Sequence, residues 1–271
     1  MKIPLLEIGS NGPKKQSTSI AKHDHRQKMK AQKGLKHFAM IKTGSTIPGV
    51  KRQYGDFENW FSEGLGITEF LQVDVFNQEE LPATEQLSGI LITGSPAMVS
   101  DRQDWSERTA AWLVGSVGQG VPTLGVCYGH QLLAQALGGL VGPNPNGRQI
   151  GTVQVRLLDA AREDRLFGGF PNSFKVQASH SEVVLQAPRE AVRLATSPLD
   201  NNCAIRFAEN AWGIQFHPEF SAPVMSGYIK YRSDDLLEEG LSPRNLSQQV
   251  TETTEATTIL KAFRKLTQIQ E

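Results

Sequence analysis

Thr123-Leu124-Gly125-Val126-Cys127-Tyr128-Gly129-His130-Gln131-Leu132-Leu133-Ala134 joins two kinds of pattern across a single cysteine. The apolar run Val121 to Val126 reads as a buried strand, and the Ala/Leu-rich segment after Cys127 reads as a helix ending on Gly138-Gly139. Glycines on both sides of Cys127 permit a sharp strand-to-helix turn, because neither presents a Cβ to the crossing backbone. The Gly-x-Ser-x-Gly elbow works by the same mechanics, with oxygen where this chain has sulfur. A helix that starts directly after Cys127 aims its first N–H groups and the positive end of its dipole at the side chain, which favours thiolate over thiol.

Outward from this turn, the upstream chain alternates strands and helices. His37-Phe38-Ala39-Met40-Ile41-Lys42 predicts a first strand, stopped by Thr43-Gly44-Ser45. Asp56 is placed to N-cap a helix through Phe57-Glu58-Asn59-Trp60-Phe61. Phe70 to Phe76 alternates with the period of a strand, and Leu87 to Thr93 is a third strand running into Gly94-Ser95-Pro96. Trp105 to Val117 predicts a helix with Ala110, Leu113, Val114 and Val117 as its core face. This rhythm predicts a doubly wound, mostly parallel α/β sheet with helices on both faces. Active sites in such sheets lie beyond the carboxyl ends of the strands, where Gly94 and Cys127 both fall.

The downstream half is richer in strand signals, at residues 151–157, 174–178, 192–196, 203–207 and 211–216, so a small antiparallel β element is expected there. Residues 224–232 and 255–269 read as closing helices, with a short helical turn at 234–239.

Composition bounds the rest. A chain of 271 residues, 39% apolar, has room for one large α/β domain or two small ones. The formal charge is zero, yet nine of the 28 basic residues and only two of the 28 acidic ones fall within residues 1–36, leaving the remainder net acidic by seven. We therefore expect a disordered basic N-terminal extension over residues 1–35 and a folded domain over 36–271. An acidic body gives no case for nucleic-acid binding. Cys127 and Cys203 supply neither a disulfide framework nor a metal quartet, and no metal or cofactor is expected. Sparse cysteine, no apolar run of about 18 residues and too short an apolar stretch at residues 3–8 for a signal peptide make the cytoplasm the expected location and a membrane span unexpected.

A cysteine nucleophile needs a base and a group to orient that base. Phe216-His217-Pro218-Glu219-Phe220 offers both, two residues apart after an apolar strand, so that imidazole and carboxylate point the same way. On its own a solvated turn explains His-Pro-Glu equally well; joined to an elbow cysteine it points to a Cys/His/Glu triad. His130 reads as a packing residue of the elbow helix, Cys203 as an inert core thiol, and Trp60, Trp105, Trp112 and Trp212 as core aromatics.

Gly125-Val126-Cys127-Tyr128-Gly129-His130-Gln131 matches the pattern Gly-x-Cys-x-Gly-x-Gln, and Phe216-His217-Pro218-Glu219 matches the His-Pro-Glu motif, of the class I (triad-type) glutamine amidotransferases. The chain resembles that family over about residues 37–232, in particular the glutaminase half of GMP synthase and its free-standing relatives. Thr93-Gly94-Ser95-Pro96 stands where the family carries a Gly-Gly-Pro-type oxyanion loop, and Ser179-His180-Ser181-Glu182 resembles its Ser-His-Gly-Asp loop. The resemblance implies a flavodoxin-like fold and a hydrolysis in which Cys127 attacks the glutamine carboxamide, forming a thioester and releasing ammonia. It implies His217 as the acid–base group and Glu219 as its orienter. The N–H groups of Gly94 and Tyr128 would form the oxyanion hole, each donor contributing about 3–4 kcal/mol. Gln131, Ser95, Ser179, His180 and Ser181 are the implied substrate contacts.

Ser95 in a glycine position and Ser181-Glu182 in place of Gly-Asp depart from the family pattern, so γ-glutamyl chemistry is the broader expectation and glutamine the narrower one. Only 52 residues follow Glu219, without a Ser-Gly-Gly-x-Asp-Ser loop, so a self-contained GMP synthase is not expected. The expected ligands are L-glutamine or another γ-glutamyl compound, and the expected partner is a separate ammonia-acceptor subunit. A γ-glutamyl peptide or conjugate hydrolase with the same triad is the alternative, and a non-catalytic regulatory binding domain a further one.

Overall fold

Leu87–Ile92 is buried along nearly its whole length because helices cover both of its faces. Alternate residues of this strand and its neighbours divide between two core layers. Phe38, Met40, Leu91, Leu124 and Val126 pack on one side with the helices Phe57–Leu65 (α2) and Thr254–Leu266 (α8). Ala39, Ile41, Ile90 and Ile92 pack on the other with Asp104–Gly118 (α3) and Tyr128–Ala136 (α4). Burial on both faces is what parallel strands require and what their near-continuous apolar runs encode. The computed structural model describes residues 36–267, and the extension expected over residues 1–35 lies outside them.

The parallel half of the sheet is formed by His37–Lys42 (β1), Leu71–Asp74 (β2), Leu87–Ile92 (β3), Thr123–Val126 (β4) and Ala211–Ile214 (β11), in the order β2-β1-β3-β4-β11. Gln149–Leu157 (β6), Ser173–His180 (β7), Val192–Thr196 (β9) and Ala204–Ala208 (β10) continue the same sheet antiparallel, as β11-β10-β9-β6-β7. Leu140–Pro143 (β5) and Glu182–Gln186 (β8) make a separate two-stranded antiparallel ribbon. Only the last two residues of β6 pair with β9, so the β6–β7 hairpin splays away from the sheet. Four strand spacings separate β7 from β11, roughly 19 Å in a flat sheet, yet Gln177 of β7 forms an antiparallel bridge with His217, just beyond β11. The antiparallel half therefore curls back across the ends of the parallel strands.

The helix predicted from Asp56 forms with its box intact: Asp56 Oδ1 accepts from Phe57 N (2.9 Å), and Asn59 Oδ1 accepts from Asp56 N (3.1 Å). Buried Lys42 donates to the same Asp56 (2.9 Å) and to Glu58 (2.6 Å), tying the end of β1 to the start of α2. Burial alone would raise the Asp56 carboxyl; donors from Lys51, Thr46, Lys42 and Phe57 outweigh it and hold it below the usual carboxylate range. This tether sets Phe57, itself buried, beside the His217 ring.

One prediction for α3 needs correction. Val114 is 47% exposed, and the buried face is made by Trp105, Ser106, Thr109, Ala110, Leu113 and Ser116. Small hydroxyls reach the core because they bond to the preceding turn or to a neighbour: Thr109 Oγ1 to Trp105 O (2.7 Å), Ser116 Oγ to Trp112 O (3.1 Å), and Ser106 Oγ to the Tyr128 hydroxyl (2.7 Å). A rule that counts only apolar residues rotates this helix the wrong way. Pro48–Tyr54 (α1), β5, β8 and Pro243–Gln249 (α7) carry weak periodic signals and are not predicted, whereas Ala222–Tyr231 (α5) and Ser233–Glu238 (α6) fall close to their predicted ranges. Among the described residues no helix is long and apolar enough to cross a membrane.

Candidate active site

Cys127 stands between β4 and α4 with φ 52° and ψ −102°, a left-handed backbone that a side chain rarely adopts. The packing around it explains how this is held. A methyl at Gly125 would lie 2.3 Å from Gly129 O, and one at Gly129 would lie 2.6 Å from Ile92 O. The helix backbone thus rests directly on the backbones of β4 and β3, and the turn cannot relax without separating them. Cys127 N donates to Ile214 O (2.8 Å), pinning the elbow to β11. The first N–H groups of α4, from Tyr128 onward, have no carbonyl within the helix to receive them. The Tyr128 side chain points the other way, stacked on Trp105 (5.5 Å) and bonded to Ser106.

Beyond β11 the chain turns into His217-Pro218-Glu219. His217 Nδ1 and Glu219 Oε1 are 2.7 Å apart, with both side chains almost wholly buried. Cys127 lies on the other side of the ring, near enough for its charge to act on the imidazole. Burial pulls the imidazole pKa down, but the charges of Glu219 and Cys127, with their hydrogen bonds, more than offset it and the net shift is upward. The ring is clamped by stacking on Phe220 (centroids 4.0 Å, 10° between planes) and more distantly on Phe57 (6.4 Å, 16°). Its backbone is held as well, since His217 N donates to Gln177 O (2.8 Å). A buried cysteine beside an imidazole whose Nδ1 meets a buried carboxylate is an arrangement suited to nucleophilic acyl transfer.

The remaining predicted residues surround this trio, several with their side chains already committed. Gly94 lies over the ring: a methyl there would be 3.0 Å from His217 Cε1. Ser95 Oγ donates to Thr43 O (2.8 Å) and accepts from Ala97 N (3.1 Å), so it anchors its own loop. Gln131 Nε2 donates to Glu182 O (2.8 Å) and Gln215 Oε1 (3.1 Å), bracing α4 against β8. Ser179 faces Cys127 through its carbonyl, 4.0 Å from Sγ. His180 is buried, with Nδ1 3.1 Å from Glu182 O and Nε2 3.3 Å from Gln149 Oε1. Burial first, then the neighbouring His217 and Arg148, lower its pKa to about 4, so the ring is neutral near pH 7. Ser181 is half-exposed at the rim beside Met98 (3.8 Å).

Sequence reading misses three contributors. Phe220 and Phe57 sit against the His217 ring, and neither a motif nor a period marks a stacking ring. Glu182, read only as a departure in the substrate loop, turns its carboxylate to Val99 N (3.0 Å), Ser100 N (3.4 Å) and the Ser100 hydroxyl, capping the 3-10 turn Val99–Asp101. It thereby joins the loop after β3 to β8. Among the described residues no cluster of histidine, cysteine and acidic side chains is fit to hold a metal.

The family model for glutamine amidotransferase class-I matches residues 62–230, more than half of the chain. The chain belongs to this family. Among relatives of the amidotransferase, the glutamine-hydrolyzing GMP synthase of Aeropyrum pernix is 39% identical over 139 residues, 51% of this chain but only 25% of that protein. The chain thus spans about a quarter of the length of that relative. Gamma-glutamyl peptidase 5 of Arabidopsis thaliana is 29% identical over 197 residues, 70% of this chain and 78% of that protein. A crystal structure of a glutamine amidotransferase from Thermotoga maritima superposes with a TM-score of 0.68 at 22% identity, covering 86% of this chain and 98% of that one. These likenesses extend well outside the elbow.

Proposed function

We propose that this amidotransferase hydrolyses the γ-carboxamide of glutamine through a thioester on Cys127. The observation that carries the reading is the convergence of a strained elbow cysteine with the His217–Glu219 pair, in a chain of this family. The Cys127 sulfur attacks the carboxamide carbon, and the tetrahedral oxyanion is met by the N–H groups of Gly94 and Tyr128. His217, protonated and held by Glu219, gives its proton to the departing nitrogen, and ammonia leaves. The neutral imidazole then takes a proton from water, whose oxygen attacks the thioester carbonyl; collapse of the second oxyanion breaks the C–S bond and expels the Cys127 thiolate, restoring the thiolate–imidazolium pair, and the released acid loses its proton to solvent as glutamate. The stack of Phe220 on the ring supports this reading, because it restricts the imidazole to the plane in which both nitrogens reach their partners. Delivery of ammonia to a separate acceptor protein is consistent with the GMP-synthase relatives, in which the matching region is a quarter of the whole.

A second reading has its own support. The match to a γ-glutamyl peptidase extends over most of that protein, and Glu182 is engaged by Val99 and Ser100 rather than left free to receive a substrate ammonium. In this version the leaving group is the amine of a γ-glutamyl peptide or conjugate, and the same thioester forms.

Both readings are tested by incubating the purified protein with L-glutamine and with a set of γ-glutamyl dipeptides, following released ammonia, released amine and the acyl-enzyme mass. Turnover of glutamine above all dipeptides selects the first reading and the reverse selects the second. Cys127→Ala should abolish turnover and the mass increment; hydrolysis that survives this substitution refutes both.

A further inference from the structure

The loop leaving β3 carries two carbonyls, Thr93 O and Gly94 O, within reach of two hydroxyls. Thr43 Oγ1 is 3.0 Å from each carbonyl, and Thr93 Oγ1 is 3.0 Å from Gly94 O. Thr43 N donates to Thr93 Oγ1 at 3.1 Å, and the two hydroxyl oxygens are themselves 3.1 Å apart, so they form one hydrogen-bonded cluster beside the two carbonyls. The arrangement that satisfies both carbonyls has Thr93 donating to Gly94 O and Thr43 donating to Thr93 O. Two hydroxyl protons serve two carbonyls, and both threonines are wholly buried.

Carbonyl and N–H point in opposite directions across a trans peptide. Holding Thr93 O and Gly94 O on the Thr43 side therefore turns the N–H groups of Gly94 and Ser95 to the other side. Ser95 Oγ adds a third tie to Thr43 O at 2.8 Å. The need for such ties follows from the glycine itself. Gly94 lets the loop pass over His217, where a methyl would lie 3.0 Å from Cε1. Glycine also accepts either sign of φ, so the Thr93–Gly94 peptide could invert at little steric cost and present a carbonyl where a donor is required.

We propose that the hydroxyls of Thr43 and Thr93 lock the loop after β3 in its donor-outward conformation, making both threonines positioning residues of the hydrolytic site. This rests on the reading that Gly94 N–H receives the oxyanion. A hole locked in the resting chain needs no acceptor protein to assemble it, so turnover proceeds in the isolated protein.

The test compares Thr43→Val, close in volume but without the hydroxyl, with Thr43→Ser, which keeps it. Thr43→Val should lower kcat by about 100-fold, the scale of a lost oxyanion donor, with KM changed less than about threefold. Thr43→Ser should restore turnover to within about threefold of the parent. Alkylation of Cys127 by iodoacetamide, a displacement with no oxyanion, should proceed at the parent rate in both. Parent-like kcat in Thr43→Val overturns the proposal, as does a fall in alkylation that matches the fall in kcat, which marks a general structural role. If Thr43→Val does not fold, Thr43→Ala removes the same hydroxyl and is read by the same criteria. Should the parent hydrolyse no γ-glutamyl amide, the functional reading fails by itself, and crystal structures of parent and Thr43→Val still decide the lock: an inverted Thr93–Gly94 peptide in the variant upholds it, and an unchanged peptide refutes it.

Discussion

Acidification from pH 6.5 to 5 should cost this protein about 2 kcal/mol of folding stability, through two histidines that take no part in the proposed chemistry as proton carriers. His130, on the first turn of α4, is fully buried against Phe207 (5.7 Å), and its ring nitrogens find no well-formed hydrogen bond, only a backbone approach from Asn202. Burial is the main cause that lowers its pKa from 6.5 to about 3, and burial likewise lowers that of His180 to about 4. Unfolded imidazoles take up protons below pH 6.5, while the folded ones do not, so the unfolded state gains and stability is lost as pH falls. Each ring contributes about 1.4 kcal/mol per pH unit once its unfolded form is fully protonated; since that form is half protonated at pH 6.5, the pair loses about 3 kcal/mol over this interval. Asp200 works in the opposite sense: burial raises its carboxyl from 3.8 to about 6. Below pH 6 the folded state binds that proton and the unfolded state does not, which returns about 1 kcal/mol by pH 5. The raised His217 is protonated in both states below pH 6.5 and drops out; above that pH its contribution is lost as pH rises through its folded value. Stability should therefore peak near neutrality. Urea titrations at half-unit pH steps provide the assay, with the midpoint moving and the slope m constant. His130→Leu should reduce the pH dependence by about one proton. Stability that is flat or rising on acidification, or an unaltered dependence in His130→Leu, refutes the reasoning.

Two further predictions probe packing. Gly125→Ala drives a methyl to 2.3 Å from Gly129 O, a backbone atom, so it should cost more than about 2 kcal/mol and suppress turnover, whereas Gly115→Ala, exposed within α3 with nothing within 4 Å, should gain about 0.5–1 kcal/mol; melting temperatures of the two variants give the comparison. Val114→Lys should leave stability within about 0.5 kcal/mol of the parent, because the side chain is 47% exposed, and a large loss in chemical denaturation would contradict the helix orientation found here.

The parallel half of the fold is legible in the sequence because its strands are buried on both sides and bounded by glycine turns, as in Leu87–Ile92 and Thr123–Val126. The elbow is legible for a stronger reason: Gly125 and Gly129 are forced by backbone contacts that leave no alternative residue type. Beyond these, legibility falls with the range of the interaction. His217 and Glu219 are neighbours in sequence and read as a pair, while Phe57 reaches the same imidazole from 160 positions upstream and leaves no local trace. Thr43 reads as a residue that merely ends a strand, since its partners Thr93 and Gly94 are set beside it only by the pairing of β1 with β3. The face of α3 is misread because hydroxyls that bond to their own helix are as buriable as methyl groups. Gln131 and Glu182 carry the family's positions but bind protein atoms, a distinction that depends on where side chains end and not on their order in the chain.

The curl of the antiparallel half has a consequence for the behaviour of the whole molecule. β7 is the last strand of the nine-stranded sheet, and an uncovered margin of that kind offers free amides and carbonyls to any passing extended chain. Here the margin is occupied at Gln177 by the peptide of His217, with Gln177 Nε2 further bonded to Thr251 O at 2.8 Å. The segment that bears the imidazole is therefore also the guard against intermolecular strand exchange. Loosening it, for instance by lengthening the turn between β11 and Pro218, would expose a template for self-association at the same moment as it displaces the base, so loss of turnover and onset of aggregation should track each other across such variants.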